Sequence, residues 1–396
     1  MKNHPPRRPA RILPIIIFSQ FAGTSLWFAG NAVIKDLQNE FSLGNHAVED
    51  LTSAVQLGFI LGTLVFAALS VADRFSPSKV FLYAAILGAL SNLGVYFLAN
   101  GFAGLVLFRF LTGFFLAGIY PVGMKIAADW YERGLGDALG FLVGALVIGT
   151  SFPHLLKNFT HGLDWKLLIF ATSGLAMFGG VLIYAFVPNG PFRKSMSHFE
   201  WRSVYKVFEN QSFRSAAFGY FGHMWELYSF WALIPWILAF YKEAHADAEF
   251  DVSFWSFTII AIGGLGCVIG GKLSLRAGSS KIAFYALLIS GLCCLLSPVA
   301  FDLNNLWFLI FLLIWGLAVV ADSPQFSTLV AQTAPSEMKG TALTIVNSIG
   351  FAITIISLQF LKQVGFWFHE KFMFMWLAVG PALGCIAIFR LLKKGL

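Results

Sequence analysis

Residues 188–211 read PNGPFRKSMSHFEWRSVYKVFENQ. They form the longest polar stretch between apolar runs in a chain of 396 residues. A helix needs roughly 20 apolar residues to cross a hydrocarbon core of about 30 Å. In lipid its backbone must satisfy its own hydrogen bonds. Six such runs precede the polar stretch, near 12–34, 50–72, 80–99, 102–128, 136–158 and 165–187. Six follow it, near 212–241, 251–275, 281–300, 305–333, 339–363 and 371–392. This predicts an all-α integral membrane protein of twelve transmembrane helices in two six-helix bundles, 1–187 and 212–396. Residues 188–211 are then the linker between bundles, with Ser203–Phe208 as a short interfacial helix. The runs are unbroken rather than alternating, which excludes a β-barrel.

Composition agrees. The chain is 58% hydrophobic and 12% charged, where soluble domains average about 25% charged. This excludes a disordered chain, a nucleic-acid module and a soluble enzyme. The first run follows Met1–Arg11 and is too long for a signal-peptide core, so it reads as a retained anchor. The formal charge is +7, from 27 basic and 20 acidic residues. Nineteen of the 27 fall at the termini and the even-to-odd connections, among them Arg7, Arg8, Arg11, Arg193, Lys194, Lys393 and Lys394. Six face the other side: Lys35, Lys157, Lys166, Lys242, Lys362 and Lys371. The positive-inside rule therefore puts both termini in the cytoplasm of a bacterial-type cell membrane. It accounts for the charge without a nucleic-acid partner. Cys267, Cys293, Cys294 and Cys385 lie in apolar runs without metal-ligand spacing and read as packing residues. No metal or cofactor is expected. The sequence holds no G-x-x-x-x-G-K-[ST] loop, so any work must be driven by an ion or solute gradient.

The halves echo one another. Phe18-Ser-Gln-Phe21 aligns with Phe218-Gly-Tyr-Phe221, Arg74…Ser78-Lys79 with Arg276…Ser280-Lys281, and Gly136-Asp-Ala-Leu139 with Gly340-Thr-Ala-Leu343. The offsets are 200, 202 and 204 residues. Such an order suggests a duplicated six-helix unit, an arrangement that places a site where the halves meet.

Three local patterns carry a family resemblance. Asp73-Arg74-Phe-Ser-Pro-Ser-Lys79 follows the second run, with Leu69, Ser76 and Pro77 departing from the pattern G-x-x-x-D-R-x-G-R-[KR]. Leu105-x-x-x-Arg109-x-x-Thr112-Gly113 lies in the fourth run, with Thr for Gln. Pro335-Ser-Glu-Met-Lys339-Gly340-Thr-Ala342 opens the eleventh. Together they resemble the major facilitator superfamily. The resemblance implies two bundles rocking about a midplane site lined by the first, fourth, seventh and tenth helices. It also implies a monomer. The antiporter signature G-P-x-x-G-G is missing from the fifth run, which carries Gly136, Gly140 and Gly144 but ends Thr150-Ser-Phe-Pro153-His154.

Polar residues inside the runs are candidates for function, because charge in a bilayer is costly. Arg109 shares a helical face with Thr112, Leu116 and Tyr120. Its guanidinium could grip an anionic solute in a bidentate fork, pair with a carboxylate, or clamp carbonyls. Lys125 precedes Asp129 by four residues, the spacing of a helix-end ion pair. Of the 20 acids only Glu226 and Asp322 fall near mid-membrane. A carboxylate in an apolar cavity can hold and release a proton, because desolvation disfavours the charged form. Glu226 and Asp322 are thus candidate proton-coupling groups. His223, at i, i+3 from Glu226, and Gln325, at i, i+3 from Asp322, are candidate solute ligands. The first run carries Gln20, Thr24, Trp27 and Asn31 as one stripe, expected to line the cavity with Tyr120. Asp73 ends the second run; with Arg74 it is expected to latch the inner side against the helix start at Gly340 in the outward-open state.

The reading is a secondary active transporter, not an enzyme. Its solute is small, organic and anionic, taken up with protons by alternating access; its partners are that solute, protons and the bilayer. The alternative is a proton-driven multidrug or metabolite exporter. A membrane-embedded enzyme or non-transporting receptor is the remote one, and detergent-purified protein that hydrolysed lipid or peptide would favour it.

Overall fold

The computed structural model describes residues 9–131, 135–160, 163–193, 207–335 and 339–394. Among these residues the regular structure is entirely helical. The elements are α1 (Ile12–Thr24), α2 (Ala47–Ala68), α3 (Pro77–Phe97), α4 (Phe102–Trp130), α5 (Leu135–Phe159) and α6 (Lys166–Phe186) in the first half. The second half holds α7 (Gln211–Ala244), α8 (Val252–Ala277), α9 (Ser279–Ala300), α10 (Asn305–Thr333), α11 (Lys339–Trp367) and α12 (Val379–Lys394). Ten of the segments are long and apolar enough to cross a membrane. The other two expected positions hold the shorter apolar α1 and the 34-residue α7. Most of Ser203–Phe208 lies outside the described residues.

Helix starts follow local chemistry. Pro77 opens α3 where its missing N–H costs nothing. Asn210 caps α7 by accepting from the amides of Ser212 (2.8 Å) and Phe213 (3.3 Å). Asp251 caps α8 through the Phe254 amide at 2.7 Å, and Asn304 caps α10 through that of Trp307 at 3.2 Å. Large apolar side chains stand exposed along the outer faces, such as Leu87 and Leu90 on α3, Leu292 and Leu296 on α9 and Ile386 on α12. A bilayer turns these surfaces into contact area.

Within the first half α2 crosses α4 at backbone distance: a side chain on Gly58 would strike the Phe110 carbonyl, and one on Gly113 the Val55 carbonyl. Small residues at such a crossing let helices without a hydrophobic drive pack by contact alone. The halves meet along two seams, α5 with α8 and α2 with α11. In the first seam Gly264 faces Gly144, the carbonyl oxygen of which lies 3.7 Å from where a Cβ on Gly264 would sit. In the second, contact runs from mid-length to the face that carries few Lys and Arg. There Phe59 meets Phe351 with ring centres 4.6 Å apart. Further out, Lys362 Nζ lies 2.8 Å from Asp50 Oδ2, and Gln359 donates to Asp50 Oδ1 (3.2 Å) and Ser53 Oγ (3.0 Å). The His46 ring lies against Phe366.

Candidate functional site

Three of the four helices expected at the centre are interrupted. α1 stops at Thr24, residues 25–28 form turns, and helix resumes over Ala29–Ala32. α4 is broken between Leu116 and Tyr120, and α10 between Ala321 and Ser323. Broken helices leave carbonyls and amides without helical partners, which is tolerated at membrane depth only where protein or a cavity supplies them. The expected stripe Gln20–Thr24–Trp27–Asn31 and the expected face Arg109–Tyr120 therefore do not run along single continuous helices.

Arg109 supplies the missing partners at the first break. Its Nη1 donates to the Leu26 carbonyl at 3.2 Å and to Asn92 Oδ1 at 3.3 Å, and its Nη2 donates to the Trp27 carbonyl. Asn92 passes the chain on to α6 by donating to Ser173 Oγ (3.0 Å) and Thr172 Oγ1 (3.2 Å). Arg109 is fully buried, and no carboxylate pairs with it among the described residues. Gly30 leaves room for the guanidinium. Directly in front lies Trp27, whose ring meets Phe59 of α2, Tyr228 of α7 and Phe351 of α11. The cation thus sits one residue behind an aromatic cluster that joins the halves.

The titratable groups of the second half lie on α7 and α10. His223 Nδ1 is 2.8 Å from Asp322 Oδ1, both side chains fully buried, and Asp322 occupies the break in α10. The His223 ring packs between Tyr220 and Phe326. Glu226 points into its own bundle and accepts three hydrogen bonds: from Trp315 Nε1 at 2.6 Å, Ser290 Oγ at 2.9 Å and Cys294 Sγ at 3.2 Å. All three donors are neutral, and among the described residues no cation is paired with the carboxylate. Cys294 is therefore more than a packing residue.

The remaining candidates separate. Asn31 ties α1 to α2 by donating to Thr52 Oγ1 at 2.8 Å. Gln20 is fully buried against Gly123 with both amide atoms lacking hydrogen-bond partners among the described residues, as have Gln56 and the indole N–H groups of Trp27 and Trp231. Tyr120 lies within electrostatic reach of Tyr220, Tyr228 and Cys267. Gln325 is buried on α10. Asp73 Oδ1 is 2.9 Å from Lys125 Nζ, closer than the expected partner Asp129 at 3.5 Å. The start of the linker is sewn to the same loop: Arg193 Nη2 donates to the Asp73 and Phe75 carbonyls at 2.8 Å, and Ser76 donates to Asn189 Oδ1. Arg74 is exposed and Gly340 opens α11; residues 336–338 of that motif lie outside the described residues.

Sequence reasoning missed the polar lock of Asp50, Ser53, Gln359 and Lys362. Its members stand more than 300 residues apart, and only the count of Lys on that face hinted at it. The lock is partly exposed, and such pairs contribute up to about 1 kcal/mol. Asp50→Asn is expected to shift the balance of conformers toward opening of this face by up to about fivefold. Spin labels on the facing ends of α2 and α11 would read a larger long-distance population; an unchanged distance distribution would remove the lock from the mechanism.

The fold as a whole has counterparts among known structures. A bacterial homologue of the human lysosomal transporter Spinster, solved inward-facing and occupied, superposes with a TM-score of 0.69 at 14% identity, over 97% of this chain and 96% of that one. A probable sulfoacetate transporter, SauU, of Cupriavidus necator is 25% identical over 269 residues, 60% of this chain and 61% of its own. A multidrug transporter, FLR1, of Candida glabrata is 30% identical over 149 residues, 37% of this chain and 26% of its own. The chain thus spans less than two thirds of the length of these curated relatives. The model of the Major Facilitator Superfamily matches residues 15–358, from the first helix into α11, and the chain belongs to that family.

Proposed function

We propose that the protein is a secondary active transporter that takes up a small organic anion together with protons, by alternating access across a bacterial-type cytoplasmic membrane. In this reading it works as a monomer of two bundles, 1–187 and 212–396, joined by 188–211, with both termini in the cytoplasm. The observation that carries it is the asymmetry of buried charge at mid-membrane. Arg109, a cation without a counter-ion among the described residues, stands in the first bundle, and Asp322, His223 and Glu226 stand in the second. An anionic solute entering between them is held by the field of the first, whose guanidinium stays on its carbonyls; protons neutralise the carboxylates of the second. Each ligand biases the conformer that it binds better.

In this scheme Gln20, Trp27, Tyr120, His223 and Gln325 contact the solute, with Asn31 holding the first helix for it. Glu226 and Asp322 carry protons. Asp73 and Arg74 exchange present partners such as Lys125 for the α11 start at Gly340 when the Asp50–Lys362 face opens. The sulfoacetate named for one relative is a small anion of the fitting kind.

Purified protein in proteoliposomes tests this. Small sulfonates and carboxylates are expected to accumulate about tenfold for one coupled proton across a one-unit gradient, acid outside, and to leak back when an ionophore collapses it. Exporter activity is the second reading. It is favoured by the aromatic cluster, which suits lipophilic cations, and by the multidrug relative. Dye cations pumped against the gradient, with no anion uptake, would put it in place of the first.

A further inference from the structure

α7 and α12 pack at backbone distance where Gly219 and Gly222 face Gly380 and Gly384: a side chain on Gly222 would strike the Gly380 carbonyl, and one on Gly380 the carbonyl of Gly222. Beyond these glycines, toward the start of α7 and the end of α12, the facing side chains are larger. On the Lys/Arg-rich face they leave a cleft of ≈ 280 Å³, lined by Gln211, Arg214, Ser215 and Phe218 of α7 and by Ile386 and Arg390 of α12. A neighbouring cleft of the same volume shares Gln211, Ser215 and Arg390 and extends to Lys393.

Among the described residues no acidic side chain lines either cleft. Arg214 and Arg390 are exposed, and neither is paired with a carboxylate among the described residues. The first amides of α7 are already taken by Asn210, so the positive field comes from the side chains. Toward the bilayer the cleft continues into exposed apolar surface: Phe218 is 53% exposed, Ile386 72% and Leu383 62%. A phosphate at the guanidinium pair, with acyl chains along that surface, would satisfy both halves of the cleft. A basic recess between helix ends at the headgroup level is suited to such a ligand, and guanidinium forks match phosphate oxygens. We propose that this cleft binds the headgroup phosphate of an anionic phospholipid of the surrounding membrane.

Native mass spectrometry of the full chain tests the proposal, with phosphatidylglycerol and phosphatidylcholine offered in equal amounts. The expected result is preferential retention of phosphatidylglycerol, reduced about tenfold in Arg214→Gln/Arg390→Gln and kept in Arg276→Gln, a basic residue of the same face outside the cleft. Equal retention of the two lipids, or a preference that survives the double substitution, overturns it. So does inorganic phosphate that strips the lipid and raises the melting temperature of the protein as much as the lipid does, since the site would then take free anions. Should the double variant not fold, a photoreactive phosphatidylglycerol on the wild-type protein decides: labelling within 211–218 or 383–393 supports the site, and labelling elsewhere overturns it.

Discussion

Arg109→Ala is expected to cost about 3–9 kcal/mol of stability, because it strands two carbonyls and one amide oxygen in a buried interior at about 1–3 kcal/mol each. Among the described residues no other side chain donates to the Leu26 and Trp27 carbonyls, and Arg109 itself is fully buried. Arg109→Lys should recover only part of the loss, since one ammonium cannot span acceptors that a planar fork reaches from two nitrogens. Thermal unfolding of purified protein in detergent checks this. Transport should fall with stability in both variants, because Trp27 and the central aromatic cluster are positioned by the same break. A melting temperature unchanged in Arg109→Ala, with anion binding lost, would instead make the guanidinium a direct solute ligand and no clamp at all.

Glu226→Gln is expected to leave the fold intact and remove accumulation. Glutamine has the same shape; its carbonyl can accept from Trp315 and Cys294, and its amide can donate to Ser290. It cannot carry a proton. With one proton lost from the cycle, the roughly tenfold gain per pH unit disappears, while exchange of labelled for unlabelled solute, which needs no net proton movement, persists. The paired assay in proteoliposomes separates the two. If Glu226→Gln still accumulates solute and Asp322→Asn does not, the proton is carried at the His223–Asp322 pair and Glu226 is a structural contact.

The helices were legible because each is a run of apolar residues that has one physical use at that length. Their interruptions were not. Leu26-Trp-Phe28 is as apolar as its surroundings and contains no proline; the local sign is Gly23-Thr24-Ser25, whose hydroxyls bond back to the Gln20, Phe21 and Ala22 carbonyls. The partner of the break is distant: Arg109 answers the freed carbonyls, and carbonyls have no side-chain signature. The same limit hid the partners of Glu226. Ser290, Cys294 and Trp315 lie 64 to 89 residues away on two other helices and each reads alone as packing. His223 and Asp322 could be named as titratable residues of two helices, yet their 2.8 Å contact depends on how α7 and α10 cross. Lys125 had a visible candidate four residues along, and the closer partner, Asp73, came from another helix.

The facing Gly144 and Gly264 give the α5–α8 seam a flat centre, bordered by Val147 and Ile148. Interlocked side chains must disengage before two helices can tilt, and each disengagement is a hump on the path. A smooth seam works as a bearing: its contact changes little as one half rolls over the other, so it guides the motion without resisting it. Resistance is then concentrated at the far rim, where Asp50, Gln359 and Lys362 must release. In the proposed alternating-access cycle the speed of switching and its axis would be held by separate parts of the molecule. A substitution at the rim should retune how often the protein turns over, and a bulky residue at Gly264 should change where it turns.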